Sequence, residues 1–279
     1  MTRLGFAFNP TNQAALRLRD RATTWCSEHS VDAWAAPAGE VETLVAQLPT
    51  TDALVVLGGD GTFLRAARAV AAVDVPILGI NSGTVGFLSN AEPDALPEVL
   101  QFLIDGDYSL EPRMTIEARL LPEGLGETAE SHVALNEAAV VRGSQARMVR
   151  LEVSIDGSHL STFACDGLVV ATPTGSTGYS FSAGGPILDP TSRNLVVTTI
   201  AAYLSAIRSI VVSPDHRVLV RVIEAYDSQV SMDGREDFPL RVGDAVEILA
   251  RDRPIRFIQP RGARPFWKLL RLKTELQPS

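Results

Sequence analysis

The stretch Leu54-Val55-Val56-Leu57-Gly58-Gly59-Asp60-Gly61-Thr62-Phe63-Leu64-Arg65 constrains this chain more than any other. Val55, Val56 and Leu57 form the unbroken apolar run of a strand buried on both faces, as at the centre of a parallel sheet. Glycines at 58, 59 and 61 clear β-carbons from the turn that follows, so a phosphate can approach the backbone. A ligand there lies beyond the carboxyl end of the strand, where open α/β sheets bind. Asp60 is the odd member, because a carboxylate repels phosphate. It is expected to take a proton or to hold a metal ion. A plainer role stands beside these: Asp is a good N-cap, and a helix follows.

Strand and helix patterns alternate around that stretch. The periodicity predicts strands over 4–8, 31–35 and 76–80, and helices over 12–29, 40–47, 65–72 and 93–104. That alternation reads as a doubly wound parallel-sheet α/β domain, residues 1–108. Beyond 105–107 the texture changes. β-branched, alternating segments dominate over 114–121, 134–141, 149–155, 162–171, 195–200, 218–223, 229–233, 245–249 and 255–258. These define a second, mainly β domain, residues 109–261. The tail, 262–279, has apolar residues at helical spacing over 266–272 and is expected to pack back on one of the two domains.

Charge and cysteine usage narrow the function classes. A net charge of −8 argues against a general binder of nucleic acid or of anionic membranes. Two cysteines, Cys26 and Cys165, lie far apart without metal spacing, which fits a reducing, cytoplasmic setting. The N-terminus turns polar at Asn9-Pro10, unlike a signal peptide, and no apolar run is long enough to span a bilayer. The four histidines are scattered and assemble neither a zinc constellation nor a nucleophilic triad.

Two further stretches carry chemistry. Cys165-Asp166-Gly167 opens an apolar strand that runs into Thr172-Pro173-Thr174-Gly175-Ser176-Thr177-Gly178-Tyr179-Ser180-Phe181-Ser182, a loop dense in small donors suited to a nucleotide. Tyr179 there suits stacking on a base or lining a pocket. Leu135-Asn136-Glu137 offers side chains that read base edges or ribose hydroxyls. Each has a bland alternative: an exposed strand edge for Asn136 and Glu137, a plain turn for Asp166-Gly167, a solvated helix charge for Arg65.

Taken together, Gly58-Gly59-Asp60-Gly61-Thr62, Asn81-Ser82-Gly83 through Gly86-Phe87-Leu88, Leu135-Asn136-Glu137, and Asp166-Gly167 through Thr174-Gly175-Ser176-Thr177-Gly178-Tyr179-Ser180 resemble the NAD kinase family, in the family's order and over nearly the whole chain. The acidic glycine turn alone is shared with lipid kinases and phosphofructokinases; the combination is far more specific. The resemblance implies phosphorylation of NAD at the adenosine-ribose 2′-hydroxyl, giving NADP, in a cleft between the two domains. It implies Asp60 as general base, with Gly61 and Arg65 bordering the site. It implies Asn136 and Glu137 as the pair that holds NAD, Asp166 on the nicotinamide side, and Thr174 with the 177–182 run as the nucleotide loop: Thr177, Gly178, Tyr179, Ser180, Phe181 and Ser182. Arg147, Ala164 and Ala201 fall at further family contact positions. The donor implied is ATP or polyphosphate, with a divalent cation, Mg²⁺, riding on its phosphates, and the assembly implied is a homodimer or homotetramer.

The chain departs from the family's pattern in places. Where many members carry a His and an Arg-Pro, it reads Ala202-Tyr203-Leu204-Ser205-Ala206-Ile207-Arg208-Ser209. Arg235 stands where many have Gln, and Ala164 where some have a larger residue, so a contact at 164 is made by backbone. No Gly-x-x-x-x-Gly-Lys is present, so ATP is not expected to be held as in P-loop proteins.

Overall fold

A computed structural model of the chain describes residues 1–83, 86–89, 91–124, 130–144 and 147–275, with 274 and 275 by backbone only. The chain divides into two compact units, Met1–Arg113 with Ile255–Ser279, and Met114–Pro254.

In the first unit β1 (Arg3–Phe8) leads into α1 (Gln13–Glu28). Asn12 sets the start of α1: its side chain accepts the N–H groups of Ala14 and Ala15 at 2.8 and 3.1 Å, donors that a first helical turn leaves over. Then come β2 (Asp32–Pro37), α2 (Val41–Gln47), β3 (Ala53–Leu57), α3 (Asp60–Ala72), β4 (Ile77–Ile80), α4 (Leu96–Asp105) and β5 (Tyr108–Arg113). Helix α4 closes on Gly106 at φ +75°, a left-handed residue that glycine adopts without steric cost. The chain's last strand and helix, β18 (Ile255–Pro260) and α6 (Phe266–Glu275), return to this unit.

The sheet order is β2-β1-β3-β4-β18-β5. The neighbours from β2 to β18 run parallel and β5 is antiparallel to β18. Leu18, Ala22 and Cys26 of α1 and Leu100 and Leu103 of α4 pack on one face, against Phe6, Val55 and Ile258. On the other face Phe63 of α3 meets Phe257 of β18, ring centroids 4.9 Å apart. β3 is buried along its whole length. The sequence expectation put 109–261 in the β-rich domain, yet β18 and most of β5 belong to the first sheet. An alternating pattern identifies a strand but not the sheet that will accept it.

The second unit holds β6 (Ile116–Leu121), β7 (Glu130–Ala134), β8 (Glu137–Arg142), β9 (Val149–Ile155), β10 (Ser158–Cys165), β11 (Gly167–Ala171), the one-turn α5 (Tyr179–Ser182), β12 (Leu195–Ile200), β13 (Ser209–Val212), β14 (Val218–Glu224), β15 (Ser228–Met232), β16 (Glu236–Leu240) and β17 (Ala245–Ala250). They form two six-stranded antiparallel sheets, β10-β9-β14-β17-β6-β7 and β13-β12-β11-β8-β15-β16. One core joins them. Leu151, Val220 and Ile248 of the first sheet lie in it with Val140, Leu168 and Val230 of the second. Period-two alternation then turns Ala139, Val169 and Gln229 to the other face of the second sheet.

Two expected strands are broken. The run 134–141 is interrupted at Leu135-Asn136, with only Ala134 in β7, a strand not expected, and 137–141 in β8; 162–171 splits at Asp166 into β10 and β11. The helix expected over 65–72 begins five residues earlier, at Asp60. No helix among the described residues is long and apolar enough to cross a membrane.

Candidate active site

In the first unit the functional geometry is set where β3 runs into α3. Gly59 is the N-cap of α3, and Asp60 is the first helical residue, so the N-cap role weighed for Asp60 falls to its neighbour. The Asp60 carboxylate reaches instead across to the loop after β4. It accepts the N–H of Phe87 at 2.9 Å and that of Leu88 at 3.1 Å, one on each oxygen. Gly86 makes this approach possible, because a β-carbon there would fall on Asp60 Oδ1. Buried Asn81 shapes the start of the same loop, exchanging hydrogen bonds with the backbone of Gly83 at 2.9 and 3.0 Å. Thr84 and Val85 of that motif lie outside the described residues. Gly61 sits in the first turn of α3, and Arg65, half-buried, follows one turn on.

In the second unit a hollow of about 440 Å³ opens on the outer face of the second sheet. Its floor follows from strand register. Ala139 and Val141 of β8 sit beside Ser231 and Gln229 of β15, and Asp237 of β16 pairs with Ser231. Glu137, Asp166 and Tyr179 line it as well, so three residues expected from sequence meet here. Asp166 sits at the break between β10 and β11, where its Oδ1 accepts the Arg142 guanidinium at 2.9 Å. Tyr179 is half-exposed. Partial burial, then the Asp166 carboxylate, raises its phenol above the ordinary value.

Glu137 is the most perturbed group of the site. Only 6% of it is exposed. Burial, reinforced by the charge of Asp233, pushes its carboxyl up to about 8. Its Oε2 and the Oδ1 of Asn136 are both buried without a hydrogen-bond partner. An orphaned buried polar atom costs about 1–3 kcal/mol, so two on consecutive residues point to a ligand that completes them. Gly178 adjoins Glu137: a β-carbon at 178 would lie 3.5 Å from that Oε2.

The other residues expected in this unit, Asn136 among them, do not line the hollow. Thr174 is buried ahead of the turn Gly175–Thr177, where the Thr177 hydroxyl donates to the Thr174 carbonyl at 3.4 Å. The Ser180 hydroxyl is fully buried, 3.1 Å from Thr198 Oγ1, and braces the loop. Phe181 and Ser182 are exposed on α5. The Ala164 carbonyl accepts the N–H of Tyr203 at 2.8 Å, and Ala201 takes φ +48° just after β12. Arg147 lies over the ring of Tyr226, 5.3 Å from its centroid, and does not line the hollow. Sequence reasoning missed Arg142, Gln229, Ser231 and Asp237. Period two from Glu137 reaches Ala139 and Val141 but not Arg142, which has the other parity, and Gln229, Ser231 and Asp237 join that face only through strand pairing.

A larger hollow, about 570 Å³, lies in the first unit beside Arg113, Arg261 and Arg264. Those cations pair with Glu111, Asp107 and Glu92, and no orphaned polar atom among the described residues lines it. Size alone does not make it the site.

An acidic glycine turn on a doubly wound sheet, together with a β unit whose polar hollow is large enough for a nucleoside, defines a two-unit nucleotide-binding protein. The chain belongs to the NAD kinase family. The family model of the ATP-NAD kinase N-terminal domain matches residues 3–108, and that of the ATP-NAD kinase C-terminal domain matches 135–260. An NAD kinase of Heliobacterium modesticaldum is 36% identical over 288 residues, covering 99% of each chain. Among solved structures, an NAD kinase from Archaeoglobus fulgidus in complex with ATP superposes with a TM-score of 0.77 at 26% identity, covering 99% of this chain and 100% of that one. Yeast NADH kinase complexed with NADH gives 0.86 at 24% identity, covering 99% and 87%, a likeness of fold.

Proposed function

We infer that this chain is an NAD kinase that moves the terminal phosphoryl group of ATP to the adenosine-ribose 2′-hydroxyl of NAD, giving NADP and ADP. In this reading the hydroxyl oxygen bonds to the phosphorus, the bond from phosphorus to the ADP oxygen breaks, and the hydroxyl proton passes to Asp60. The hydrogen-bond pattern supports that role. A carboxylate has about four lone-pair sites. Two are taken by Phe87 and Leu88, which fix the group while leaving room to accept a proton. Phosphoryl transfer asks little more of a protein than such positioning plus charge stabilisation.

The observation that carries the acceptor assignment is the orphaned pair Asn136 Oδ1 and Glu137 Oε2. Ribose hydroxyls and base edges supply the partners that pair lacks. No group of three or more His, Cys, Asp or Glu side chains is gathered to hold a metal among the described residues. On the family resemblance we infer a cation carried chiefly by phosphate oxygens, the usual Mg²⁺ pattern. Bound there, Mg²⁺ would neutralise charge on the transferred group. On the family resemblance we also place the protein in the cytoplasm as a homodimer or homotetramer, which light scattering tests.

The direct test is incubation of the purified chain with NAD, Mg²⁺ and either ATP or polyphosphate, with NADP measured; no NADP from any donor overturns the reading. Asn136→Ala is expected to raise the Kd for NAD about tenfold, one lost hydrogen-bonding group, with thermal stability nearly unchanged. Unchanged NAD affinity by calorimetry removes Asn136 from the site. Gly86→Ala is expected to lower kcat about 10²-fold while the protein stays folded, because the new methyl displaces the Asp60 carboxylate. Wild-type turnover in that variant shows that the placement of Asp60 is not critical.

A further inference from the structure

We propose that Asp233 is a positioning residue for NAD, a clamp that holds the segment Leu135–Glu137 so that Asn136 and Glu137 present their side chains to the dinucleotide. This rests on the reading of that pair as the NAD-binding groups.

The segment lies where the ladder is interrupted between β7 and β8, so its backbone groups need partners from elsewhere. Asp233, almost fully buried, supplies them from nearly a hundred residues away. Its Oδ2 accepts the N–H of Leu135 at 3.1 Å, and its Oδ1 accepts those of Asn136 at 2.7 Å and Glu137 at 3.2 Å. Its own N–H donates to the Glu137 carbonyl at 3.0 Å. The other two carbonyls of the segment are held by Thr172. The Thr172 hydroxyl donates to Leu135 O at 2.6 Å, and the Thr172 N–H donates to Asn136 O at 2.8 Å. Gly175 lies so close that a β-carbon there would strike the Asn136 carbonyl.

Local structure does not account for the carboxylate. Asp233 and Gly234 take φ +52° and +60° at the centre of a turn closed by Arg235 N–H on Met232 O, 3.0 Å. Asn serves such a turn as well as Asp does. The turn does not need two acceptor oxygens, but three converging backbone N–H groups do. The negative charge has a second consequence, since it faces Glu137 and adds to the burial that favours its neutral form. The other charged and titratable groups around the hollow are Arg142, Asp166, Tyr179 and Asp237.

Asp233→Asn is the discriminating variant, because it preserves the turn and removes one acceptor and the charge. NAD binding is measured by calorimetry without donor from pH 6 to 9, and steady-state kinetics are run alongside. The expected result is a Kd and KM for NAD raised about tenfold or more, with the KM for ATP and kcat within about threefold of wild type. The midpoint of the pH dependence of NAD binding is expected to move down by about half a pH unit or more, as a like charge leaves Glu137. A role in stability alone would leave that midpoint in place. A folded Asp233→Asn protein with wild-type affinity and midpoint overturns the proposal. Should that variant not fold, Thr172→Val reports on the same segment from its carbonyl side: weakened NAD binding supports a clamped segment, and wild-type affinity overturns it. Asn136→Ala and Glu137→Ala separate the clamp from the site it serves. If both leave NAD affinity intact, the NAD-site reading fails; if they weaken it while Asp233→Asn does not, only the clamp fails.

Discussion

Asp60→Asn is expected to lower kcat by about 10³-fold, within the 10²–10⁴ range that a positioned proton acceptor contributes, while the Kd for NAD stays within about twofold. The substitution is nearly isosteric but not silent in the fold. Asp60 gives one oxygen to each of two backbone N–H groups. Asn offers one carbonyl oxygen, so its amide group faces the N–H of Phe87 or Leu88. The cost is about 1–3 kcal/mol, against the 5–15 kcal/mol of a typical domain. The variant therefore remains folded at 25 °C, with a melting temperature lowered by a few degrees. That separates the two roles of the residue. If Asp60 only braced the loop after β4, turnover would follow the folded fraction and remain close to wild type. A loss of three orders of magnitude in a protein that still binds NAD assigns the proton to Asp60; near wild-type kcat in the folded variant takes it away.

How far the sequence reveals such a site depends on whether its contacts are local. The β3–α3 turn is legible because its parts are contiguous: a strand buried on both faces, glycines, a carboxylate and a helix. The partner of that carboxylate is not legible, because Phe87 and Leu88 lie 27 and 28 residues away and contribute backbone N–H groups, which every residue type carries except proline. The same holds in the second unit. Residues 134–141 contain no glycine or proline and end in a β-branched pair, so the pattern reads as one strand. The break comes from Asp233 and Thr172, 37 to 98 residues distant, and it falls at Leu135 and Asn136, just before Glu137 opens β8. The break at Asp166 likewise separates β10, in one sheet, from β11, in the other. Both missed interruptions lie at residues proposed for the site, which is where local preference and function are expected to conflict. Strands β5, β7, β13 and β16 escaped notice because each is an edge strand of four to six residues, half in solvent and therefore weakly patterned.

The ligand-free protein is expected to lose stability as pH rises from about 5 to about 8, and Glu137→Gln is expected to abolish most of that loss. In the unfolded chain Glu137 ionises at its ordinary 4.5; in the fold it does so at about 8. Between these values the folded state holds a proton that the unfolded state has released. Stability therefore falls with rising pH across that window and levels off above the folded value. The penalty above pH 8 is on the order of a few kcal/mol, since each pH unit between the unfolded and folded ionisation points is worth about 1.4 kcal/mol. Gln has the shape of the neutral acid and cannot ionise, so the variant is expected to be about as stable as wild type near pH 5 and clearly more stable at pH 8.5. Thermal or urea melts of both proteins at the two pH values measure this directly. Parallel pH profiles would mean that Glu137 is ionised in the fold throughout. Burial beside Asp233 would then not have kept it neutral, and the carboxyl proposed to hold NAD would at pH 7 be an acceptor only, unable to donate a hydrogen bond.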